Sequence, residues 1–440
     1  MIRKNALAMS PPHLLAVSML TVIVIGTLFL KLPYASETYV SWIDALFTAT
    51  SATTVTGLSV LDTQHDFTMF GQTIIMLLIQ FGGIGLMTFA IFTLLIMGRK
   101  ITLRQRVYLS SSFSQETSGG VVKLVKSLVC FVFIVETIAF VILSIRWVPI
   151  FGWKDGLFYS LFHAISAFNN AGFSTWSNNL IGFVADPIVN ITITTLFIIG
   201  GLGFTVVTDL ISNKRWKKLM LHTKLMITGT LVINIISMFV IFLLEYNNPD
   251  TLGSLSMNSK LIASYFQGVS PRTAGFNTIN IGSMEDATLL YTMLLMFIGA
   301  GTASTASGIK LTTVIVVLLS TIAFLNSKSE PVIFKRTIKR EVIIRSLAII
   351  IISLSIVFLF LFFLSITEDA SFMEVMFETV SAFGTVGLSM GITPDLTSVG
   401  KILLIFLMFI GRLGPLTFAF LLAKPHSTKV RYPSDQVFTG

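Results

Sequence analysis

The 440-residue chain is 54% hydrophobic and only 12% charged, too little charge to cover the surface of a soluble protein of this length. The net charge of +9 has no separate basic domain to carry it, so nucleic-acid binding is set aside and the excess is read as a topology signal. The single cysteine, Cys130, excludes an intrachain disulfide, and no Cys/His cluster marks a metal site.

Apolar runs long enough to cross a bilayer occupy 14–30, 73–97, 124–145, 188–211, 225–244, 289–325, 342–364 and 399–422. The first lacks an Ala-x-Ala-like site and is followed by more membrane, so it reads as a span and not as a cleaved signal. Between the members of each pair lies an apolar stretch too short to cross, at 42–52, 156–168, 260–270 and 372–383. That length suits a re-entrant half-helix. Irregular backbone at membrane depth survives only where it is buried in protein or lines a wet cavity.

Each half-span runs into the same kind of glycine loop. Ser51-Ala-Thr-Thr-Val-Thr-Gly-Leu-Ser returns as Ser166-Ala-Phe-Asn-Asn-Ala-Gly-Phe-Ser, Val269-Ser-Pro-Arg-Thr-Ala-Gly-Phe-Asn and Ser381-Ala-Phe-Gly-Thr-Val-Gly-Leu-Ser. One such glycine would be read as helix packing. Four at matching places, Gly57, Gly172, Gly275 and Gly387, imply four units around one axis. Glycine reaches backbone angles that a Cβ forbids, so successive carbonyls can line a pore and strip a monovalent cation. The candidate ion filter is Thr54, Val55, Thr56 and Gly57; Asn169, Asn170, Ala171 and Gly172; Arg272, Thr273, Ala274 and Gly275; and Gly384, Thr385, Val386 and Gly387. Each half-helix would aim the negative end of its dipole at the ion. The expected fold is all-α integral membrane: four repeats of span, half-helix and span, eight spans and four re-entrant half-helices around a central pore. The repeat bounds are 1–105, 106–220, 221–330 with a broken second span, and 331–440 with a cytoplasmic tail.

A second echo follows each loop: Phe81-Gly-Gly-Ile-Gly-Leu, Ile199-Gly-Gly-Leu-Gly-Phe, Ile298-Gly-Ala-Gly-Thr and Ile410-Gly-Arg-Leu-Gly-Pro. The first two read as small-residue packing contacts. In the third repeat, residues 287–325 as one helix would be about 58 Å long against a hydrocarbon core of about 30 Å, which predicts a break. The break falls on a small, hydroxyl-rich run, Gly299, Ala300, Gly301, Thr302, Ala303, Ser304, Thr305, Ala306, Ser307 and Gly308, placed to obstruct the pore. Arg412 sits inside the last span, where arginine costs roughly 2.5–3.5 kcal/mol on insertion scales, so oxygens of that run are its expected partners. Lys310 is placed at an inner rim, and Arg272 is expected to brace the filter through backbone carbonyls.

Most of the 30 lysines and arginines lie in the N-terminus, the inter-repeat loops and the C-terminal tail, whereas the glycine-loop connections hold most of the acids. Both termini are therefore expected inside and the glycine loops outside. Trp147, Trp153 and Trp176 are expected as interfacial anchors, and His13, His65, His163, His222 and His426 in solvated or capping roles. A serine-hydrolase reading of Ser307-Gly308 fails on its own flanks, since Thr305 stands where a Gly-x-Ser-Gly pattern needs glycine. The alternative of another class is a sodium-coupled secondary transporter of a different fold.

These four glycines, the broken third unit and Arg412 closely resemble the Trk/Ktr/HKT superfamily of potassium transporters, over essentially the whole chain and closest to its Ktr-type membrane subunits. The resemblance implies K+ held at the filter backbone carbonyls as permeant ion, Na+ as a candidate activator, a gate at residues 299–308 with Lys310 and Arg412, and no covalently bound cofactor. It further implies a homodimer in the bacterial inner (plasma) membrane, resting on a cytosolic ring of RCK-type subunits of the KtrA/KtrC kind. That ring, and not this chain, would bind nucleotide.

Overall fold

A computed structural model of the chain describes residues 11–85, 121–302, 304–328 and 330–422. The basic residues Arg99, Lys100, Arg104 and Arg106, the inner half of the 73–97 run and the C-terminal tail lie outside the described residues. In chain order the helices are α1 (Pro11–Leu30), α2 (Trp42–Thr54), α3 (Met69–Ile84), α4 (Val121–Phe168), α5 (Pro187–Leu202), α6 (Phe204–Ser212), α7 (Leu221–Glu245) and α8 (Met257–Val269). There follow α9 (Asp286–Phe297), α10 (Leu311–Leu325), a small hairpin of β1 (Val332–Ile333) and β2 (Arg336–Thr337), α11 (Arg340–Thr367), α12 (Phe372–Gly384), α13 (Ser398–Leu413) and α14 (Pro415–Leu422).

The helix starts are written locally. Half-helices α2, α8 and α12 begin behind Ser41, Ser256 and Ser371, whose hydroxyls accept the exposed N–H groups of the first turn. Ser371 adds a capping box with Glu374. Thr68, Asp186 and Thr397 cap the helices that follow the loops. The half-helix of the second unit is the far limb of α4, which breaks at Gly152 (φ 82°).

The half-helices form the inside of the molecule. Phe47, Phe162, Phe266 and Phe377, one on each, are fully buried. The long helices form a coat with the membrane pattern, apolar outward and polar inward. Helix α7 exposes Leu231, Ile235, Phe239 and Leu243 and buries Ser237; α11 exposes Ile351, Phe358 and Ile366 and buries Ser353. After each loop the next helix packs on the half-helix of the following unit: α3 on α4, α5 on α8, α9 on α12, and α13 back on α2. The chain thereby closes into a ring.

Among the described residues four helices are long and apolar enough to cross a membrane, or six if each bent pair is one span, and the second spans of the second and fourth units are bent where straight ones were expected. Helices α5 and α6 meet at 90° and α13 and α14 at 101°, turning at Gly203 (φ 94°) and Gly414 (φ 86°). Helix α3 stops at Gly85 (φ 88°). A positive φ ends the helical ladder, and glycine adopts it without strain. Trp147 is also no interfacial anchor. It is fully buried, edge-on to Trp176 and to His163, which is itself buried and stacked on Trp176 at 4.4 Å. Of the expected anchors, Trp153 is exposed, at 76%.

Ring closure between the last and first units includes an ion pair, Lys401 Nζ to Asp44 Oδ1 at 2.8 Å, with side chains only 15% and 17% exposed. Asp44 is oriented by the Ser41 hydroxyl at 2.6 Å. Replacing either residue with alanine should lower the thermal stability of the purified protein. A double-mutant cycle should return a coupling of about 1 kcal/mol; strictly additive losses would show that the pair does not hold the closure.

Candidate functional site: a ring of four glycine loops

Each half-helix ends in one repeated backbone figure. The residue two before the glycine has a left-handed conformation: Val55 (φ 58°), Asn170 (φ 60°), Thr273 (φ 72°) and Thr385 (φ 47°). The glycines follow with φ of 94°, 68°, 75° and 91° at Gly57, Gly172, Gly275 and Gly387. Alternating positive and negative φ turns successive carbonyls towards one side, which an ordinary strand or helix does not do. Four left-handed non-glycine residues in one ring are a strained arrangement, kept only where the surroundings enforce it.

The loops touch one another through the missing Cβ atoms. A Cβ on Gly57 would lie 3.2 Å from Cα of Gly172; on Gly172, 2.9 Å from Cα of Gly275; on Gly387, 2.9 Å from Cα of Gly57. On Gly275 it would strike the carbonyl of Val386. The four loops therefore meet in chain order and close. A serine at the end of each half-helix holds its loop: the hydroxyls of Ser51 and Ser381 accept the N–H of Gly57 and Gly387 at 3.1 Å, and those of Ser166 and Ser270 donate to the carbonyls of Phe173 and Phe276.

The side chains of the loops are engaged away from their neighbours' backbones. Thr54 donates to Thr50 O at 2.7 Å and shares a hydrogen bond with Thr56; Thr273 donates to Arg272 O at 2.6 Å; Gly384 packs beside Met296 O. Ala171, Ala274 and Val386 are fully buried, as is Thr385 to within 1%. Asn169 donates to Gln80 Oε1 (2.7 Å) and Glu136 Oε1 (3.3 Å), while Gln80 donates to Glu136 Oε2 (3.0 Å). Arg272 does not brace loop carbonyls as expected; its guanidinium donates to Asn234 Oδ1 on α7 at 3.0 Å. The reason is direction: it projects from the back of the half-helix end, where α7 offers an amide.

On one side of the ring is an open cleft of about 440 Å³, lined by Gly57, Gly172, Gly387, Asp62, Ser174 and Ser389 among others. Asn179 reaches from its wall to Gly172 O at 3.3 Å. The break between α9 and α10 falls at residues 298–310, and Ala303 lies outside the described residues. The segment returns on itself through a bridge between Ile298 and Ile309, with Gly299 against Ser307 O. It docks on the second unit: Gly301 N–H donates to Gly201 O at 2.7 Å, Thr305 N–H to Gly200 O at 3.3 Å, and Thr305 Oγ1 to Asn170 Oδ1 at 2.9 Å. Ser304 donates to Gly301 O, and Lys310 to Ala306 O at 2.9 Å. Gly308 (φ 69°) approaches Gly384, and Ala300 O accepts the N–H of Leu311. Arg412 Nη1 donates to Thr305 O and to Ser307 Oγ at 3.1 Å, and Nη2 to Gly82 O of the first unit. Thr302, Gly308 and Lys310 face a second open cleft of about 640 Å³ beside the α13–α14 bend.

Several of these residues escape the sequence reading. The glycine echoes do pack on half-helix ends: Gly82 under Thr53 O, Gly200 under Phe168 O, and Gly411, in the fourth unit, under Phe383 O. Their last glycines end the helices, Gly203 and Gly414 at the bends and Gly85 at the last described residue of its segment, and are legible only as the fifth position of three echoes. Glu136 had a signal, an acid inside an apolar run.

Four half-helices ending in one closed ring of glycine loops, within a lipid-facing coat, define a membrane protein of the cation-transporter class. The sequence matches the TrkH cation transport protein family over residues 6–432, and the chain belongs to that family. It is 58% identical over 431 residues to Ktr system potassium uptake protein B of Bacillus subtilis (98% of this chain, 97% of that protein). It is 45% identical to the protein of the same name from Vibrio alginolyticus (98% and 95%). It is 38% identical to the potassium/sodium uptake protein NtpJ of Enterococcus hirae (98% and 98%). Its fold matches the crystal structure of the potassium transporter TrkH from Vibrio parahaemolyticus with a TM-score of 0.75 at 19% identity, covering 95% of this chain and 86% of that one. The family resemblance read from the loops holds, the chain is a membrane-embedded transporter and not an enzyme, and a secondary transporter of another fold is set aside.

The buried triad of Glu136, Gln80 and Asn169 gives a stability test. Glu136→Leu leaves the buried Gln80 amide N–H without its acceptor, while Asn169 keeps Gln80 Oε1 and Ile165 O, and should cost about 1–3 kcal/mol, measured by thermal unfolding of purified protein. Glu136→Gln keeps acceptor oxygen and shape, and should recover most of the loss. Equal losses in both variants would show that packing or charge, and not the bond, is what the triad contributes.

Proposed function

We propose that the chain is the membrane subunit of a bacterial potassium uptake system, conducting K+ through the ring of carbonyls presented by the four loops. The carrying observation is the closed contact of Gly57, Gly172, Gly275 and Gly387, each at a positive φ that only glycine adopts without strain. The names of the relatives, potassium uptake proteins and one potassium/sodium uptake protein, support potassium as the principal ion and leave sodium as a candidate co-ion or activator. The chain divides, on this reading, into four units at 1–105, 106–220, 221–330 and 331–440. Segment 299–308 with Lys310 and Arg412 is the gate: it is bonded to the undersides of the loops and so obstructs the way through. The word "system" in the relatives' names fits a partner subunit, which we assign to a cytosolic nucleotide-binding RCK ring beneath a homodimer, with both termini cytoplasmic in the cell membrane.

The test is rubidium flux into vesicles holding the purified protein, with sodium or potassium as competitor. A serine at Gly172 or Gly387 must place its Cβ 2.9 Å from the neighbouring glycine, so discrimination between potassium and sodium should fall by about tenfold or more, the equivalent of roughly 1.4 kcal/mol. Undiminished discrimination in both variants would make these glycines packing residues only.

For the gate, Arg412→Ala removes three donor contacts to two units and should raise basal flux. Arg412→Lys should restore control only in part, because a point charge cannot serve Thr305, Ser307 and Gly82 together. Shortening 300–307 should act on the same element, so the combined variant should leak no more than the stronger single one. A combined flux equal to the product of the two effects would place Arg412 in a different role.

A further inference from the structure

Behind the ring lies a second set of equivalent residues. His163 and Glu378 occupy the same turn of the second and fourth half-helices, and each bonds the residue eleven positions on, just past the loop glycine: His163 Nε2 with Ser174 Oγ at 3.0 Å, and Glu378 Oε1 with Ser389 Oγ. The corresponding pair in the first unit is Thr48 with Ser59; in the third the equivalent positions hold Phe266 and Asn277, and the polar pair Gln267 and Thr278 lies one residue further along the chain. There the bond is missing. Thr48 Oγ1, both amide atoms of Gln267 and Thr278 Oγ1 are buried without a hydrogen-bond partner, and Ser59 instead turns to Gly57 O at 3.4 Å.

The brace at His163 is locally complete, and that at Glu378 works through Oε1 alone, its Oε2 being buried without a hydrogen-bond partner. His163 Nδ1 faces Tyr159 O at 2.8 Å; a carbonyl can only accept, so Nδ1 carries the proton and Nε2 accepts from Ser174. Ser174 Oγ in turn accepts the N–H of Trp176 at 3.0 Å. Glu378 Oε1 also accepts from Thr393 at 3.0 Å, and Ser389 Oγ accepts the N–H of Gly391 at 2.8 Å. Ser174, Ser389 and Thr393 line the 440 Å³ cleft, whereas His163 and Glu378 are fully buried behind it, to within 1%.

We propose that His163 and Glu378 are specificity-determining positioning residues: through Ser174 and Ser389 they fix the far end of two loops that face each other across the ring, and so set the spacing of the carbonyls. Neither touches the ion. Because the loops meet in chain order, the second and fourth are opposite, and the pair of braces defines one rigid diameter. The unbraced first and third loops give the ring its compliant direction. This rests on the filter reading above.

The experiment measures potassium against sodium competition of rubidium flux in vesicles for Glu378→Leu, Glu378→Gln, Ser389→Ala, the Glu378→Leu/Ser389→Ala pair, and Gly387→Ser. The expected result is a fall of about tenfold in discrimination for Glu378→Leu and for Ser389→Ala, the scale of one lost hydrogen bond to a charged group, with no further fall in the double variant. Glu378→Gln, which keeps an acceptor oxygen, should stay within about twofold of the parent. If Gln behaves as Leu, the charge acts and the brace does not, and the proposal is overturned. If Gly387→Ser loses discrimination while Ser389→Ala and Glu378→Leu keep it, the proposal fails and the filter reading stands. If none of the three changes it, the filter reading fails and takes this one with it. Should Glu378→Leu not be recovered from membranes, Ser389→Ala decides alone, and His163→Phe with Ser174→Ala repeats the test on the opposite loop.

Discussion

Every feature around the ring follows from one constraint: backbone polar groups inside a membrane must be satisfied, and four chain segments here leave the helix at membrane depth. A helix end exposes carbonyls with no partner. On the proposed filter reading, placing four such ends together makes a defect into a site, because the carbonyls would share a space where a cation serves as their partner. The arrangement is collective. Each glycine is the wall against which the next loop rests, so no loop can hold its left-handed residue without its neighbours. The serines at the half-helix ends tie each loop to its own helix, and the packing of each following helix on the next unit ties the units to one another.

The four-fold pattern ends just beneath the loops. Gly85, Gly203 and Gly414 stop three of the second helices at comparable points, and in the third unit a small-residue segment takes the place of a bend. That segment uses a different contribution from each unit: Gly200, Gly201 and Asn170 of the second receive it, Arg412 of the fourth holds it, and Gly82 of the first holds Arg412. An asymmetric element under a quasi-symmetric ring suits the gate proposed above, since a symmetric obstruction would have to be made and broken four times.

Sequence legibility followed the range of the physics. A glycine at positive φ is a local requirement, so the loops, repeated four times, were visible without a fold. The overlong apolar run of the third unit is also local arithmetic. The bends were not visible, because Gly-Gly-x-Gly serves close packing and a turn at once, and only the backbone separates Gly200 from Gly203. His163 and Trp147 misled for a related reason: amphipathic rings near a span end are equally at home in an interface or in a buried aromatic cluster, and their neighbours in space, Trp176 and Ser174, come from beyond the loop. Arg412 was half legible. Its depth demanded oxygens, but that one would be Gly82 O depends on ring closure between the first and last units.

The chemistry of the Arg412 contacts bears on how such an obstruction could move. Its acceptors are two backbone carbonyls and a hydroxyl, and the ion pairs among the described residues lie elsewhere, at Arg146 with Asp186 and Lys401 with Asp44. Lys310 likewise rests on a carbonyl. A buried carboxylate partner would make the guanidinium costly to release, since breaking a buried pair strands a charge on both sides at about 3–5 kcal/mol. Neutral acceptors leave no second charge behind when the guanidinium departs, although its three hydrogen bonds, at about 1.5–3 kcal/mol each, still hold it firmly in place. The guanidinium of Arg412 beside the segment would, on the proposed gate, also oppose a cation below the ring for as long as it stays there. On the gate proposed above, the same residues would give a barrier that is steric and electrostatic when closed, and the acceptors left behind on opening would carry no charge.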